Sequence, residues 1–101
     1  MPEMYFDVRW PDDTTQRCYS PSTVVEEYFA AGDTYELTDF LERSRTALGI
    51  AAERIREKFG FHCTGASGQL EQIEETVRVR AFPAGSKVTV EALLDANGSP
   101  R

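Results

Sequence analysis

The stretch Thr38-Asp-Phe-Leu-Glu-Arg-Ser-Arg-Thr-Ala-Leu-Gly-Ile-Ala-Ala-Glu-Arg-Ile-Arg-Glu-Lys-Phe59, closed by Gly60, constrains this chain more than any other. Phe40, Leu41, Ser44, Ala47, Leu48, Ala51, Ile55 and Phe59 recur at three- and four-residue spacing, which places them on one face of a helix. Glu42, Arg43, Arg45, Glu53, Arg56 and Glu57 fall on the opposite face. Thr38 can cap the first amides, Asp39 suits the positive end of the helix dipole, and Arg56 and Lys58 suit the negative end. Gly60 supplies a left-handed residue to stop the helix. A helix of this length must bury its apolar face against something, and 101 residues leave room for one small core. The rest of the chain has to supply the other layer.

Ahead of this helix, Met4, Phe6, Val8 and Trp10 alternate with Tyr5, Asp7 and Arg9, the pattern of a strand with one apolar face. Pro11-Asp12-Asp13 is turn chemistry, and Thr14 to Tyr19 reads as a second strand, so the two predict an antiparallel hairpin. Cys18 is expected on a face with Thr14 and Gln16, unless a bulge near the turn reverses it. Ser20-Pro-Ser-Thr23 is a breaker and capping cluster. Ser20 capping a short helix with Pro21 at its first position, or a covering loop, would each bury Val24, Val25, Tyr28 and Phe29. Ala30-Ala-Gly-Asp33 is a turn, and Tyr35 and Leu37 lead as an extended segment into the long helix.

Beyond Gly60, Ser67 can cap a second helix in which Ala66, Leu70, Ile73, Val77 and Ala81 keep helical spacing to about Arg80. Thr76 to Phe82 also alternates, so the same residues carry a competing strand pattern; the unbroken spacing favours helix. Phe82 to Ser86 is a turn, and Lys87 to Leu94 a final strand with Val88, Val90 and Ala92 on one face. The expected fold is a two-layer α+β domain over residues 1–96. A small, mainly antiparallel sheet, made of the N-terminal hairpin and the C-terminal strand, is covered on one face by the two helices, and a tail at 97–101 frays.

A net charge of −6 argues against non-specific binding to nucleic acid or an anionic membrane, both of which require a basic field. No apolar run approaches the roughly 20 residues of a membrane span. The opening Met-Pro-Glu-Met-Tyr-Phe-Asp lacks the basic and apolar regions of a signal peptide, so the expected compartment is the cytoplasm, where Cys18 and Cys63 stay reduced.

Chemistry is thinly marked. His62-Cys63 pairs the only histidine with a thiol that would need a base or cation to ionise, but adjacent residues point apart and Phe61 beside them suggests packing. Two cysteines and one histidine could offer three zinc ligands, without the spacing such sites use. Arg43, Arg45, Arg54 and Arg56 give the long helix two arginine pairs, and one of them turned towards a cleft could clamp a carboxylate or phosphate, against a reading in which Glu42, Glu53 and Glu57 ion-pair that whole face. Tyr19-Ser-Pro-Ser22 gathers hydroxyls at a junction, with Arg17 and Cys18 just before it. The candidate binding residues are therefore Arg17, Cys18, Tyr19, Ser20, Ser22, Arg43, His62 and Cys63. No catalytic or metal-ligating residue is assigned and no cofactor is expected.

Several stretches stand in a recognisable order: Met1-Pro-Glu-Met4, Arg9-Trp-Pro-Asp12, Cys18-Tyr-Ser-Pro-Ser22, Leu37-Thr-Asp-Phe-Leu-Glu-Arg-Ser-Arg45 and Lys58-Phe-Gly-Phe-His-Cys63. Together they resemble a small bacterial family of nitrogen starvation response proteins, from residue 1 to about 75. Members of that family are encoded beside a nitrilase. The cluster also carries a radical S-adenosylmethionine enzyme, an acetyltransferase-like protein, a synthase-like protein related to purine biosynthesis and a flavin-dependent oxidoreductase. The resemblance implies a place in a nitrogen-scavenging pathway but transfers no catalytic residue. The leading expectation is a non-enzymatic accessory protein partnered by an enzyme of that cluster, with a homodimer as a further expectation. A small-molecule or anion-binding module and a cysteine-dependent enzyme are the rivals.

Overall fold

A computed structural model describes residues 3–60 and 64–101. In chain order it contains β1 (Met4–Arg9), β2 (Thr15–Ser20), a 3₁₀ turn (Thr23–Glu27), β3 (Thr34–Glu36), α1 (Leu37–Phe59), α2 (Thr64–Arg80) and β4 (Lys87–Asp95). The strands form one sheet in the order β2-β1-β4-β3, with every neighbouring pair antiparallel. This is the expected α+β architecture with one strand more. Thr34 to Glu36, read as an extended lead-in, pairs with Lys87 to Thr89 and forms the sheet's far edge.

Alternation along β1 sends Met4, Phe6 and Val8 to the inner face, where they are fully buried, and Trp10 continues that side. The indole of Trp10 stacks on Phe82 at 5.8 Å and meets Phe40 edge-on at 5.5 Å. Its N–H donates to Gln16 Oε1 at 3.0 Å, so the polar end of a buried ring is satisfied. Phe29 joins the sheet to α1, with its ring 5.9 Å from Phe6 and 5.3 Å from Phe40. From α1, Phe40, Ala47, Leu48 and Ala51 close the core, and from α2 Ala66 and Ile73. The helical spacing of both segments thus survives into the packing, and α2 runs to Arg80 as helix instead of strand.

Local boundaries differ from the sequence reading in five places. Helix α1 starts at Leu37 with Glu36 at its cap position and no capping side chain, so Thr38 lies within the first turn. Continuation of β3 directly into α1 leaves no separate turn in which a hydroxyl could swing onto the amides. Ser67, expected as a cap, lies inside α2, which already begins at Thr64. Ser22, and not Ser20, caps the 3₁₀ turn, its Oγ accepting from the Val24 amide. Phe59 belongs to the apolar spacing of α1 but is 50% exposed, because the last turn overhangs the core. Finally, the pairing of β1 with β4 shifts between Asp7 and Val8, which face Ala92 and Val90 respectively. This bulge takes up Glu91 and turns Ala92 to the outer side with Asp7, while Leu93 takes the inward place opposite Phe6.

Gly60 ends α1 as the sequence requires, at φ 75° with its N–H on the Arg56 carbonyl. Ala81 ends α2 in the same left-handed region at φ 48°, a conformation that favours glycine. The tail expected to fray makes definite contacts. The Arg101 amide donates to the Leu93 carbonyl, the Asp95 amide donates to the Ser99 carbonyl, and the Arg101 guanidinium forks onto Glu26 at 2.7 and 3.0 Å.

Candidate functional site

The six candidate residues that the structure describes, Arg17, Cys18, Tyr19, Ser20, Ser22 and Arg43, do not converge. The hairpin register decides most of their positions. Asp7 pairs with Arg17, Phe6 with Cys18, and Tyr5 with Tyr19, so consecutive residues of β2 alternate between the two faces of the sheet.

On the outer face, Arg17 makes a two-pronged contact to Asp7 at 2.8 and 3.1 Å, and this hydrogen-bonded pairing raises its pKa. Tyr19 places its ring 5.7 Å from Tyr5 and donates its hydroxyl to Glu3 at 2.9 Å. Its backbone amide donates to Gln69 Oε1 of α2 at 2.9 Å. On the inner face, Cys18 is fully buried opposite Phe6. Desolvation, with a smaller contribution from the Asp7 charge, pushes its thiol up to about 12 from an ordinary 9.0. A nucleophilic or redox thiol needs thiolate at neutral pH, and this environment withholds it.

Ser20 and Ser22 are buried and form the joint between β2 and the 3₁₀ turn. The Ser20 hydroxyl donates to the Ser22 carbonyl at 2.6 Å and accepts from the Ser22 amide at 3.2 Å. Ser22 Oγ accepts from the Val24 amide and from Arg54 Nη1 of α1 at 3.2 Å. Both hydroxyls thus satisfy backbone that a buried turn would otherwise leave unpaired.

Arg43 sits one-third of the way along α1, away from β2. It donates to the Tyr28 carbonyl at 2.7 Å and to Asp39 at 3.0 Å, and its guanidinium lies 4.9 Å from the centre of the Tyr35 ring. Tyr35 in turn accepts from the Ala30 amide, so Arg43 binds the 28–35 segment to the helix. The surface around it is an open depression of about 540 Å³ lined by Tyr28, Asp39, Glu42, Arg43, Arg45 and Thr46. His62 and Cys63 lie outside the described residues.

The arginine-rich face of α1 resolves into definite pairs: Arg43 with Asp39, Arg45 with Glu74 of α2, and Arg56 with Glu53. Partners across elements, such as Glu74 for Arg45, Asp12 for Arg80 and Glu26 for Arg101, were invisible to sequence spacing. The Asp7–Arg17 pair was within reach, because counting outward from the Pro11-Asp-Asp13 turn puts the two opposite each other. Gln69 is a contributor that the sequence did not mark, whereas Arg54 is the helix arginine that reaches the Tyr19–Ser22 junction. Among the described residues, no group of three or more His, Cys, Asp or Glu side chains is placed to hold a metal ion, and no helix is long and apolar enough to cross a membrane.

These features define a small two-layer α+β domain whose Cys18 thiol and junction hydroxyls are built into the scaffold and whose described arginines mostly tie one element to another. The chain belongs to the family of the nitrogen starvation-induced protein NitG, whose family model matches residues 5–93. Comparison with curated proteins and with solved structures gave no match.

Proposed function

We propose that the protein serves as a non-enzymatic accessory protein of a nitrilase-linked nitrogen-scavenging pathway in the bacterial cytoplasm, acting on one of the pathway's enzymes through its surface. The observation that carries this reading is the commitment of the described chemical candidates to the fold. Cys18 is sealed beneath the sheet, and Ser20 and Ser22 close the joint that feeds the 3₁₀ turn. Induction under nitrogen starvation, which membership of the family implies, supplies the context. The test is affinity purification of the tagged chain from nitrogen-starved cells expressing the nitrilase gene cluster. One cluster enzyme should be retained in a fixed ratio, with altered turnover when the chain is added back to it. Elution of the chain alone under gentle conditions, with unchanged rates of all the cluster enzymes, would refute the reading.

One contact supports anion binding as a second reading. Arg54 donates to Ser22 Oγ and takes no carboxylate among the described residues, which leaves guanidinium donors beside the Ser20–Ser22 joint. Phosphate and small carboxylates should then raise the melting temperature of the wild type but not of Arg54→Ala; equal responses, or none, would remove this reading.

A further inference from the structure

Asn97 is the only asparagine in the chain, and Gly98 follows it. An asparagine side chain and the next backbone nitrogen can close a five-membered ring, and a following glycine hinders that closure least because it has no Cβ. Both residues are exposed, and Asn97 is held by its backbone amide, with no hydrogen bond to its side chain among the described residues. A Cβ placed on Gly98 would meet only Arg17 Nη1 beyond its chain neighbours, at 3.9 Å. The three glutamines would need a six-membered closure, which is slower, so this dipeptide is where the chain is most open to loss of a side-chain amide.

The folded turn withholds that reaction. The Gly98 amide donates to the Asp95 carbonyl at 2.9 Å, and Asp95 Oδ1 accepts from the Asn97 and Ser99 amides, both at 2.9 Å. Attack by the Gly98 nitrogen on the Asn97 side chain requires the peptide plane between them to rotate, which pulls the Gly98 N–H off its acceptor. The next three residues lock the turn shut. The Asp95 amide donates to the Ser99 carbonyl at 2.8 Å, Pro100 bridges to Leu94, and the Arg101 amide donates to the Leu93 carbonyl at 2.9 Å. The Arg101 guanidinium then forks onto Glu26. Residues 99–101 are therefore a strap along the edge of β4. Its outermost fastening is an exposed ion pair, the kind of contact that opens most readily.

We propose that Asn97 is a deamidation site gated by this strap: release of Arg101 from Glu26 frees the turn to react, and conversion of Asn97 then keeps the strap open. In the first step the Gly98 nitrogen loses its proton to hydroxide and bonds to Asn97 Cγ. The Cγ–Nδ2 bond breaks, and the side-chain nitrogen takes a proton from water and leaves as ammonia. Water then opens the resulting succinimide at either carbonyl, giving aspartate or isoaspartate, so the net change is one water in and one ammonia out. Either product puts a new carboxylate in the turn, two residues from the carboxylate of Asp95. The two repel, and isoaspartate also lengthens the backbone by a methylene, so both products oppose closure of the turn. The conversion is one-way, and it uncovers Glu26 and the edge of β4 from Leu93 to Asp95.

The test is the rate of conversion in the full chain at mildly alkaline pH, read by intact mass and by peptide mapping that separates aspartate from isoaspartate. A single asparagine makes the mass change unambiguous. The folded wild type should convert roughly tenfold or more slowly than the chain unfolded in guanidinium chloride, because only its open fraction reacts. Arg101→Ala and Glu26→Gln should each speed conversion of the folded chain roughly threefold, and Asp95→Ala, which removes the acceptor of two amides, roughly tenfold. Asn97→Gln should stay unconverted. In the purified product, the Asp95 and Arg101 amides should exchange with solvent faster than before conversion. A folded wild type that converts as fast as the unfolded chain overturns the proposal. So do Arg101→Ala and Asp95→Ala variants that convert no faster than the wild type, or a product whose tail amides exchange as before. Should Asp95→Ala fail to fold, Arg101→Ala alone decides the rate comparison.

Discussion

Burial of Cys18 has a consequence for stability that can be worked through with its sign. The folded thiol is pushed up to about 12, and the unfolded thiol titrates near its ordinary 9.0. Above pH 9.0 the unfolded chain therefore releases a proton that the folded chain retains. The folded state binds more protons in this window, so stability falls as pH rises, by up to about 1.4 kcal/mol per pH unit. The contribution is present in full below pH 9.0 and is lost as the pH climbs towards about 12. Integrated from neutral pH to about pH 10.5, the loss is about 2 kcal/mol.

Alkaline solution alters other charges in any protein, so the measurement is a difference. Urea unfolding of a Cys63→Ser background is compared with the same background carrying Cys18→Ala, at intervals from about pH 7 to pH 10.5. At neutral pH the alanine variant should be less stable by about 1–2 kcal/mol, for the lost sulfur contacts and the small void. The gap should shrink or reverse by about 2 kcal/mol at the alkaline end. A gap that holds constant across the series would refute the reasoning. So would labelling of native Cys18 at neutral pH at the rate of a free thiol.

Two further outcomes follow from particular side chains. Ser44 lies fully buried on the core face of α1, and its hydroxyl has no hydrogen-bond partner among the described residues. Ser44→Ala removes an unsatisfied group and adds helix propensity, so chemical denaturation should show a gain of about 1–2 kcal/mol with an unchanged m-value. Arg43→Ala deletes the contacts to Tyr28, Asp39 and Tyr35 together and should cost roughly 2 kcal/mol, with faster hydrogen exchange in the 28–35 segment. Arg43→Lys should recover little of that loss, since a compact ammonium lacks the planar fork that spans the Tyr28 carbonyl, Asp39 and the Tyr35 ring face from one position.

How much of this was legible in the chain depended on the range of the interaction. The faces of β1 and α1 are properties of period two and period 3.6, carried entirely by neighbouring residues, and they appear in the structure nearly residue for residue. The strand at Thr34–Glu36 was read only as extended, because a three-residue edge strand has no periodicity of its own and exists through pairing with β4. Ala92 was assigned the wrong face because the bulge at Glu91 is a property of two strands together. The candidate site suffered in the same way. Arg17, Cys18 and Tyr19 are adjacent in sequence and so lie on alternate sides of a sheet, while Arg43 finds its partners on the 28–35 segment that precedes α1. Proximity in sequence suggested a cluster that strand geometry forbids.

The distribution of ion pairs bears on what kind of recognition such a surface supports. Arg9–Glu91, Arg45–Glu74, Arg80–Asp12 and Arg101–Glu26 each join two different elements, and all are substantially exposed. Exposed pairs contribute little to stability one by one, so their main effect is to select how the elements are oriented. Arg80 holds the hairpin turn to the end of α2, and Gln69 holds the other end of β2 to the start of the same helix. Between those two anchors the amides of Thr15 and Arg17 turn away from β1 and have no acceptor among the described residues. A rigidly framed, unpaired edge loses little conformational entropy when a strand adds to it, whereas a flexible edge would have to be ordered first. The latches on either side of β2 therefore hold its edge in line without occupying the Thr15 and Arg17 amides.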